Sequence, residues 1–520
     1  MKKSLIKSAS IISSGTFLSR VLGVIRDVLM ARTFGTGWFI QAFFVAFKIP
    51  NMFRELAAEG ASNAAFVPVF SEYLATKPRK EFWNLINTVF IAFVITITSI
   101  TFVGIIFSPA LVRLIAPGFM QIPEKLNLTI FINRHVFIYL IFISIATFVM
   151  GVLYTFKSFF ASSLSPCFFN IALITAVVYS DNSISGIKKL ILAVIVAGIL
   201  QIAIQLPSIF KLGFKIFPFE FQRKIFSHPG VKKIGRLLLP RIIGSAVYQL
   251  NILVDTIFAS MSFLVGQGAI AAIYYAARLI QFPLGIFGHS ISNAALPTLS
   301  ELAAKKEMKK FAETVEFSLT NILFVMIPAS LGLIILSKPI IRIIFERGEF
   351  DQYSTMITST ALSFYAIGLA AYAANKFLAL CFNSLQNTAT PVKISGLALF
   401  INIVLNILFV VVLKTKIAGL ALASSLSATI STWVLFNLLR KEINQISQHN
   451  ILIQTIRMLF SGVIMAIAIL VTEVKIAQFA HPALGLLITI LIAVVVYLSA
   501  SFYFNVYQSR NIFKWILRKK

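Results

Sequence analysis

Residues 16–54 read TFLSRVLGVIRDVLMARTFGTGWFIQAFFVAFKIPNMFR. This stretch is apolar enough to lie in a membrane, yet arginine, lysine and aspartate interrupt its apolar runs. An arginine or lysine at the centre of a bilayer costs about 2.5–3.5 kcal/mol. Such side chains must therefore face a hydrated cavity, pair with acids or lie near an interface.

The remainder of the chain is also typical of a membrane protein. Of its 520 residues, 58% are hydrophobic and 12% are charged, whereas a soluble protein carries about 25% charged residues. Several apolar runs exceed the roughly 18 residues that indicate a transmembrane helix. We expect an all-α polytopic membrane protein with about 14 transmembrane helices, which excludes a soluble multidomain enzyme, a fibrous protein and a disordered chain. The expected helices are centred near residues 22, 55, 96, 143, 172, 199, 250, 281, 325, 368, 402, 427, 464 and 494.

Lysine and arginine number 46 against 18 acidic residues, a formal net charge of +28. This excess does not predict nucleic-acid binding, because basic residues collect in the cytoplasmic loops of membrane proteins. The alternation of basic and mixed loops predicts that both termini are cytoplasmic. The basic loops, after predicted helices two, six, eight and twelve, contain Lys77, Arg79, Lys80, Lys211, Lys215, Arg223, Lys224, Lys232, Lys233, Arg236, Lys305, Lys306, Lys309, Lys310, Arg440 and Lys441.

A weak internal repeat divides the chain. Residues 68–72 (PVFSE) match residues 297–301 (PTLSE), and an Asn-Ala-Ala precedes each at Asn63 and Asn293. The copies are six predicted helices apart, which gives the two halves the same orientation. Parallel repeats of this kind build transporters with a central site between two lobes. The predicted domains are an N-lobe at 1–215, a C-lobe at 216–445 and two extra helices at 446–520.

The charges in the first two predicted helices form stripes. At about 100° per residue, Arg20 and Asp27 share one stripe, and Lys48 and Glu55 share another. We expect these faces to line a basic, hydrated cavity, with Arg278 of the second lobe facing the same space. For Arg32 and Glu55 we favour an interfacial position or a structural ion pair. The residues that we call the cavity arginines are Arg20, Arg26, Arg54 and Arg278.

Arginine suits a phosphorylated substrate, because its planar guanidinium donates two parallel hydrogen bonds and keeps its charge when desolvated. Asp255 is an isolated acid in an apolar helix and is a candidate ion-coupling residue; the alternative is a buried, hydrogen-bonded acid. We expect no metal site and no cofactor, because the five histidines and two cysteines lack metal spacing and no P-loop is present. Sodium and protons are both candidates for the ion that drives transport.

At these residues the chain resembles the MurJ (MviN) lipid II flippases of the multidrug/oligosaccharidyl-lipid/polysaccharide exporter superfamily. The second lobe agrees with this resemblance at residues 274–279 (YYAARL), at Phe282-Pro283 and at residues 390–393 (TPVK). The matching segments of the first lobe are residues 16–23, 26–27, 42–51, 58–61 and 65–68.

The resemblance implies a fourteen-helix protein of the bacterial inner membrane that moves undecaprenyl-pyrophosphate-linked peptidoglycan precursor, lipid II, from the cytoplasmic to the outer leaflet. It implies that the cavity arginines bind substrate, with Asp27, Lys48 and Glu59 beside them. It also implies a groove for the lipid tail at the last two helices, and that Asp255 could correspond to the sodium site of some members.

The chain departs from the family pattern at several acids. Gln41 stands where the motif often has Asp, Ala277 replaces a common acid, and Gln281 stands where Glu is usual. Glu55 follows Arg54 where a second basic residue is common. These losses remove acids that could form a gate, while the cavity arginines are kept.

The sequence therefore predicts an alternating-access lipid II flippase rather than an enzyme. Its expected partners are lipid II, the bilayer and the cell-wall synthesis machinery. One alternative is an exporter of another polyprenyl-linked glycan; an exporter of cationic drugs is disfavoured because the cavity is basic. A membrane glycosyltransferase is a further alternative, but that chemistry needs an acid–base pair or metal ligands near a membrane face, and the acids here do not cluster in that way.

Overall fold

The structure, a computed structural model, describes residues 2–55, 65–214, 225–476 and 481–511. Within these residues every regular element is a helix, which confirms the all-α prediction. The first ten helices are α1 (Lys2–Phe34), α2 (Trp38–Phe53), α3 (Val67–Thr76), α4 (Arg79–Ile106), α5 (Ser108–Ile115), α6 (Pro123–Thr155), α7 (Phe160–Val178), α8 (Ile184–Ala203), α9 (Leu206–Lys211) and α10 (Pro229–Ser260). The remaining helices are α11 (Ser262–Val265), α12 (Ala269–Pro283), α13 (His289–Ala304), α14 (Met308–Ile335), α15 (Ser337–Phe345), α16 (Gln352–Ile367), α17 (Leu369–Ser384), α18 (Ala389–Asn406), α19 (Lys416–Glu442), α20 (Gln448–Ile476) and α21 (Pro482–Tyr503).

Among the described residues, ten helices are long and apolar enough to cross a membrane, or eleven if α16 and α17 form one span. Helices α1, α2 and α10 are not among them. Twelve of the predicted span centres fall inside helices, whereas residue 55 lies just beyond α2 and residue 368 lies between α16 and α17. The total of 14 spans stays a prediction.

The chain forms two compact units, one of residues Met1–Met261 with Arg347–Phe350 and one of Ser262–Glu346 with Asp351–Lys520. Helix α10 packs against α3, α4 and α5 of the first unit, and the predicted lobe boundaries stay a prediction. In the first unit α1 packs on α7, and α2 packs on α6. In the second unit α12 packs on α16, and α17 packs on α19.

Aromatic side chains form the core of the first unit at the junction of α3, α4 and α6. Phe66, Phe70, Phe82 and Phe148 are at most 1% exposed. The rings of Phe66 and Phe70 stack with centroids 5.5 Å apart, and the ring of Phe148 meets both edge-on. Such pairs contribute about 0.5–1.5 kcal/mol beyond the burial of their area, so this cluster holds α3 and α4 on α6.

The last two helices belong to the second unit. They pack against each other and against α14. Buried Met458, Met465 and Tyr497 lie in this contact, and the Tyr497 hydroxyl donates a hydrogen bond of 3.0 Å to the carbonyl oxygen of Phe324. The two extra helices predicted at 446–520 are therefore anchored to α14.

Helices α16 and α17 meet at 47° across Gly368. A side chain at Gly368 would collide with Ser425 of α19, since an added Cβ would lie 2.8 Å from the Ser425 Cα. The Ser425 hydroxyl donates to the carbonyl oxygen of Phe364 (2.7 Å), and the Ser330 hydroxyl donates to that of Ala366 (2.6 Å). Hydroxyl groups of this kind satisfy carbonyls that a helix break leaves open.

The segment Arg347–Phe350 lies against the end of α1 in the first unit. The Glu349 amide donates a hydrogen bond of 2.8 Å to the carbonyl oxygen of Arg32. Gly35, with φ of +54°, and Gly348, with φ of +62°, allow the two backbones to approach, because a Cβ at either glycine would collide with a carbonyl oxygen of the other segment.

We predict that Gly35→Ala lowers the free energy of unfolding by about 1–2 kcal/mol or more. The left-handed backbone disfavours alanine by that amount, and the collision with the Glu349 carbonyl adds to it. Thermal unfolding of the purified protein measures the change. Gly332→Ala in α14 is the matched control, because its Cβ would meet nothing within 4 Å and alanine favours a helix; equal stability of the two variants would contradict the prediction.

Candidate functional site

The charges of α1 do not share one environment. Arg26 and Asp27 are 7% and 3% exposed, whereas Arg20 is exposed. The Nη2 and Nε atoms of Arg26 donate to Oδ1 of Asp27 at 2.7 and 3.0 Å. This neighbouring pair is therefore a buried ion pair, and the Arg26 guanidinium lies 5.8 Å from the centre of the Phe169 ring.

A buried asparagine of α7 completes this contact. Oδ1 of Asn170 accepts a hydrogen bond of 3.0 Å from Nη1 of Arg26. Its Nδ2 atom donates to the carbonyl oxygen of Ser19 at 3.0 Å. Asn170 was not among the residues predicted from the sequence, and it connects α1 to α7 at the level of the charged pair.

Lys48 of α2 reaches α10 within the first unit. Its ammonium donates to the Thr256 hydroxyl and, at 3.4 Å, to the carbonyl oxygen of Ile252. The carboxylate of Asp255 interacts with the same ammonium electrostatically. The structure therefore brings Asp255, the predicted ion-coupling residue, together with Lys48.

Arg54 and Glu55 follow α2 and form a second polar group with α10. Nε of Arg54 donates to Oδ1 of Asn51 at 3.0 Å, and Nη2 of Arg54 lies 3.7 Å from Oε1 of Glu55. Gln249 of α10 donates to Oε2 of Glu55 at 2.5 Å. Glu55 therefore takes part in an ion pair. Glu59 lies outside the described residues.

Arg278 lies in α12 of the second unit, and its side chain is exposed. Its Nη2 atom donates to the Tyr274 hydroxyl at 2.9 Å, and its guanidinium lies 4.9 Å from the centre of the Tyr274 ring. Tyr274 precedes Arg278 by one helical turn, so α12 itself orients the cation. A cation over an aromatic ring keeps its charge available to an anion on its other side.

A second buried cation was missed by the sequence analysis. Lys125 at the start of α6 is 4% exposed, and its Nζ atom donates to Oε1 of Gln41 at 3.1 Å. The same atom lies 3.8 Å from the centre of the Phe119 ring. Gln41 in turn donates to the carbonyl oxygen of Thr36 at 2.9 Å. Gln41, noted above as a departure from the family pattern, is thus the partner of a buried lysine.

We predict that Gln41→Leu lowers the free energy of unfolding by about 1–3 kcal/mol, because it leaves the Lys125 ammonium without its amide acceptor. Thermal unfolding of the purified protein measures the loss. Gln41→Glu supplies a carboxylate and should keep the native stability. The same leucine substitution at exposed Gln445 is the control. A Gln41→Leu protein as stable as the Gln445→Leu protein would show that the hydrogen bond between Lys125 and Gln41 contributes nothing to the free energy of unfolding.

No group of three or more histidine, cysteine or acidic side chains that could hold a metal ion occurs in the described part of the chain. Carboxylate, amide, hydroxyl and carbonyl oxygens, or an aromatic ring, instead contact the basic side chains of Arg26, Lys48, Arg54, Lys125 and Arg278. Phosphate oxygens can replace such acceptors, because they offer the same charge-assisted hydrogen bonds to guanidinium and ammonium groups.

The all-helical fold, with at least ten helices among the described residues that are long and apolar enough to cross a membrane, defines a polytopic membrane protein. An inward-facing multidrug resistance MATE family transporter of the MOP superfamily has this fold, with a TM-score of 0.68 and 13% identity over 85% of this chain and 99% of that chain. The model of the family Lipid II flippase MurJ matches residues 30–491. The chain belongs to this family.

Individual relatives agree along most of the chain. The probable lipid II flippase MurJ of Vibrio cholerae is 35% identical over 444 residues, 84% of this chain and 83% of that protein. The lipid II flippase MurJ of Burkholderia cenocepacia is 32% identical over 83% of both chains. A solved lipid II flippase MurJ in the inward closed conformation has a TM-score of 0.78 and 28% identity, over 95% of this chain and 98% of that chain. The chain is thus a multi-pass protein of the bacterial inner membrane.

Proposed function

We propose that this protein moves lipid II from the cytoplasmic to the outer leaflet by alternating access. The observation that carries the proposal is family membership across residues 30–491, together with basic side chains embedded in apolar helices. A lipid-linked sugar and peptide cannot cross the bilayer unaided, since each unpaired polar group costs several kcal/mol in hydrocarbon. A protein cavity can carry the head group through water while the prenyl chain stays in lipid.

In this proposal the pyrophosphate is bound by the cavity arginines, with Lys48, Asp27 and Glu59 beside them. Guanidinium groups suit this role because they bind phosphate through two parallel hydrogen bonds. The carboxylates would hold the cations while substrate is absent, and the pyrophosphate would replace them. Rocking of the two halves of the chain, 1–215 and 216–445, would then expose the site to the outside. Residues 446–520 would hold the lipid tail.

The energy for transport would come from an ion gradient or from the membrane potential, since moving one charge is worth about 2.3 kcal/mol per 100 mV. Asp255 is the proposed ion-coupling residue, for sodium or for protons. Its electrostatic contact with Lys48 suggests the route: an ion that neutralises Asp255 would release the lysine. Both termini would be cytoplasmic, where the protein could meet the cell-wall synthesis machinery.

We predict that Arg20→Ala and Arg278→Ala each abolish cell-wall synthesis in cells depleted of their native flippase, because each removes a cation that binds the pyrophosphate. Leaflet-resolved labelling of lipid II should show its accumulation in the inner leaflet. Lys309→Ala is the control, because it removes an exposed basic charge at the start of α14 and should leave transport unchanged. Normal lipid II exposure with correctly inserted Arg20→Ala and Arg278→Ala proteins would contradict the proposal.

A further inference from the structure

The orientation of the Asn170 side chain is fixed by its neighbours. The residue is 5% exposed, in a helix that has no charged side chain. Its oxygen faces the Arg26 guanidinium at 3.0 Å, and its nitrogen faces the carbonyl oxygens of Ser19 at 3.0 Å and Pro166 at 3.3 Å. A rotated amide would place its NH2 group against the guanidinium and its oxygen against two carbonyls. The amide can therefore satisfy these neighbours in one orientation only.

The guanidinium of Arg26 has two different sides. Its Nε and Nη2 atoms form the edge that donates to the charged carboxylate of Asp27. Its Nη1 atom donates to the neutral amide of Asn170. A phosphate group suits a two-donor edge and competes with a carboxylate of like charge for the same donors. The phosphate competes less well for the Nη1 donor, because the neutral amide of Asn170 is also held by its hydrogen bond to the Ser19 carbonyl of α1.

The surroundings favour a fixed arginine. Gly23 of α1 lies beside the amide, and a Cβ there would lie 3.8 Å from the Asn170 oxygen, in ordinary contact. Beside it, the ring of Phe169 lies against the guanidinium and packs on the rings of Phe47 and Tyr139, with centroids 5.9 and 5.6 Å away. These contacts come from α2, α6 and α7, so three helices support one cation.

We propose that Asn170 is a positioning residue for lipid transport. It holds Nη1 of Arg26 on α7, while the pyrophosphate of the lipid replaces Asp27 at the Nε–Nη2 edge. This inference rests on the proposed function, because it takes a pyrophosphate lipid as the substrate.

The test measures binding of undecaprenyl pyrophosphate to the full-length protein in lipid nanodiscs. Asn170→Leu keeps the volume of the side chain and removes the hydrogen bonds, so it should weaken binding about tenfold, the order expected for one lost hydrogen bond to a charged group. In an Arg26→Gln background, the same substitution should cause no further loss. Thermal unfolding of the same four proteins, without lipid, should also show coupling between the two positions.

The chain offers a matched control in Asn133. This asparagine of α6 is fully buried, donates to the carbonyl oxygen of Ala46 at 2.8 Å and accepts from the Ser108 hydroxyl at 2.7 Å. Asn133→Leu therefore removes comparable hydrogen bonds between helices without touching Arg26. It should lower stability but leave the affinity for undecaprenyl pyrophosphate within about twofold, well short of the roughly tenfold loss expected for Asn170→Leu.

Native affinity in the Asn170→Leu protein would overturn the inference, and so would an equal loss in the Arg26→Gln background or in the Asn133→Leu protein. These results leave the proposed function intact as long as Arg26→Gln itself weakens binding. If the native protein does not bind undecaprenyl pyrophosphate, or if Arg26→Gln binds it equally well, the role of Arg26 in the proposed function fails, and the inference about Asn170 fails with it.

Discussion

The main constraint on this structure is that a charged side chain in an apolar helix needs a partner, because an unpaired charge in the membrane is costly. An embedded cation would be expensive alone, and three of those in the first unit have oxygen acceptors in contact. Arg26 has Asp27 and Asn170, Lys48 has Thr256 and the Ile252 carbonyl, and Lys125 has Gln41. Breaking a buried ion pair costs far more than the pair contributes to stability, so the partners of these cations are needed for folding.

The fold arranges these acceptors by joining distant parts of the chain. Helix α10, predicted from the sequence to open the second lobe, packs in the first unit and supplies Gln249, Asp255 and Thr256 to the end of α2. Lys48 and Glu55 share a helical stripe seven residues apart, and both meet α10. A movement of α10 would therefore change the partners of a lysine and a glutamate together. This gives a physical route by which ion binding at Asp255 could alter substrate binding.

The sequence alone was sufficient to predict the fold class and to single out charged residues in apolar helices. Long apolar runs predict helices in lipid, and the cost of charge singles out Arg20, Arg26 and Lys48 whatever their partners are. It was not sufficient for those partners. Asn170 is 144 positions from Arg26, and Lys125 is 84 positions from Gln41, so helix periodicity could not bring them together. A polar residue in an apolar helix was the available signal for Asn170, but many buried asparagines, such as Asn133, only connect helices.

The most direct test of the central claim varies the lipid rather than the protein. Binding of undecaprenyl pyrophosphate, undecaprenyl phosphate and undecaprenol to the native protein in nanodiscs would be compared at low and high salt. If the embedded cations bind the phosphates of the substrate, the affinity for the lipid should rise with each phosphate. The preference for the phosphorylated lipids should weaken at high salt to the extent that the cations are exposed. Equal affinity for the alcohol and the pyrophosphate would contradict the account, because the prenyl chain alone would then explain binding.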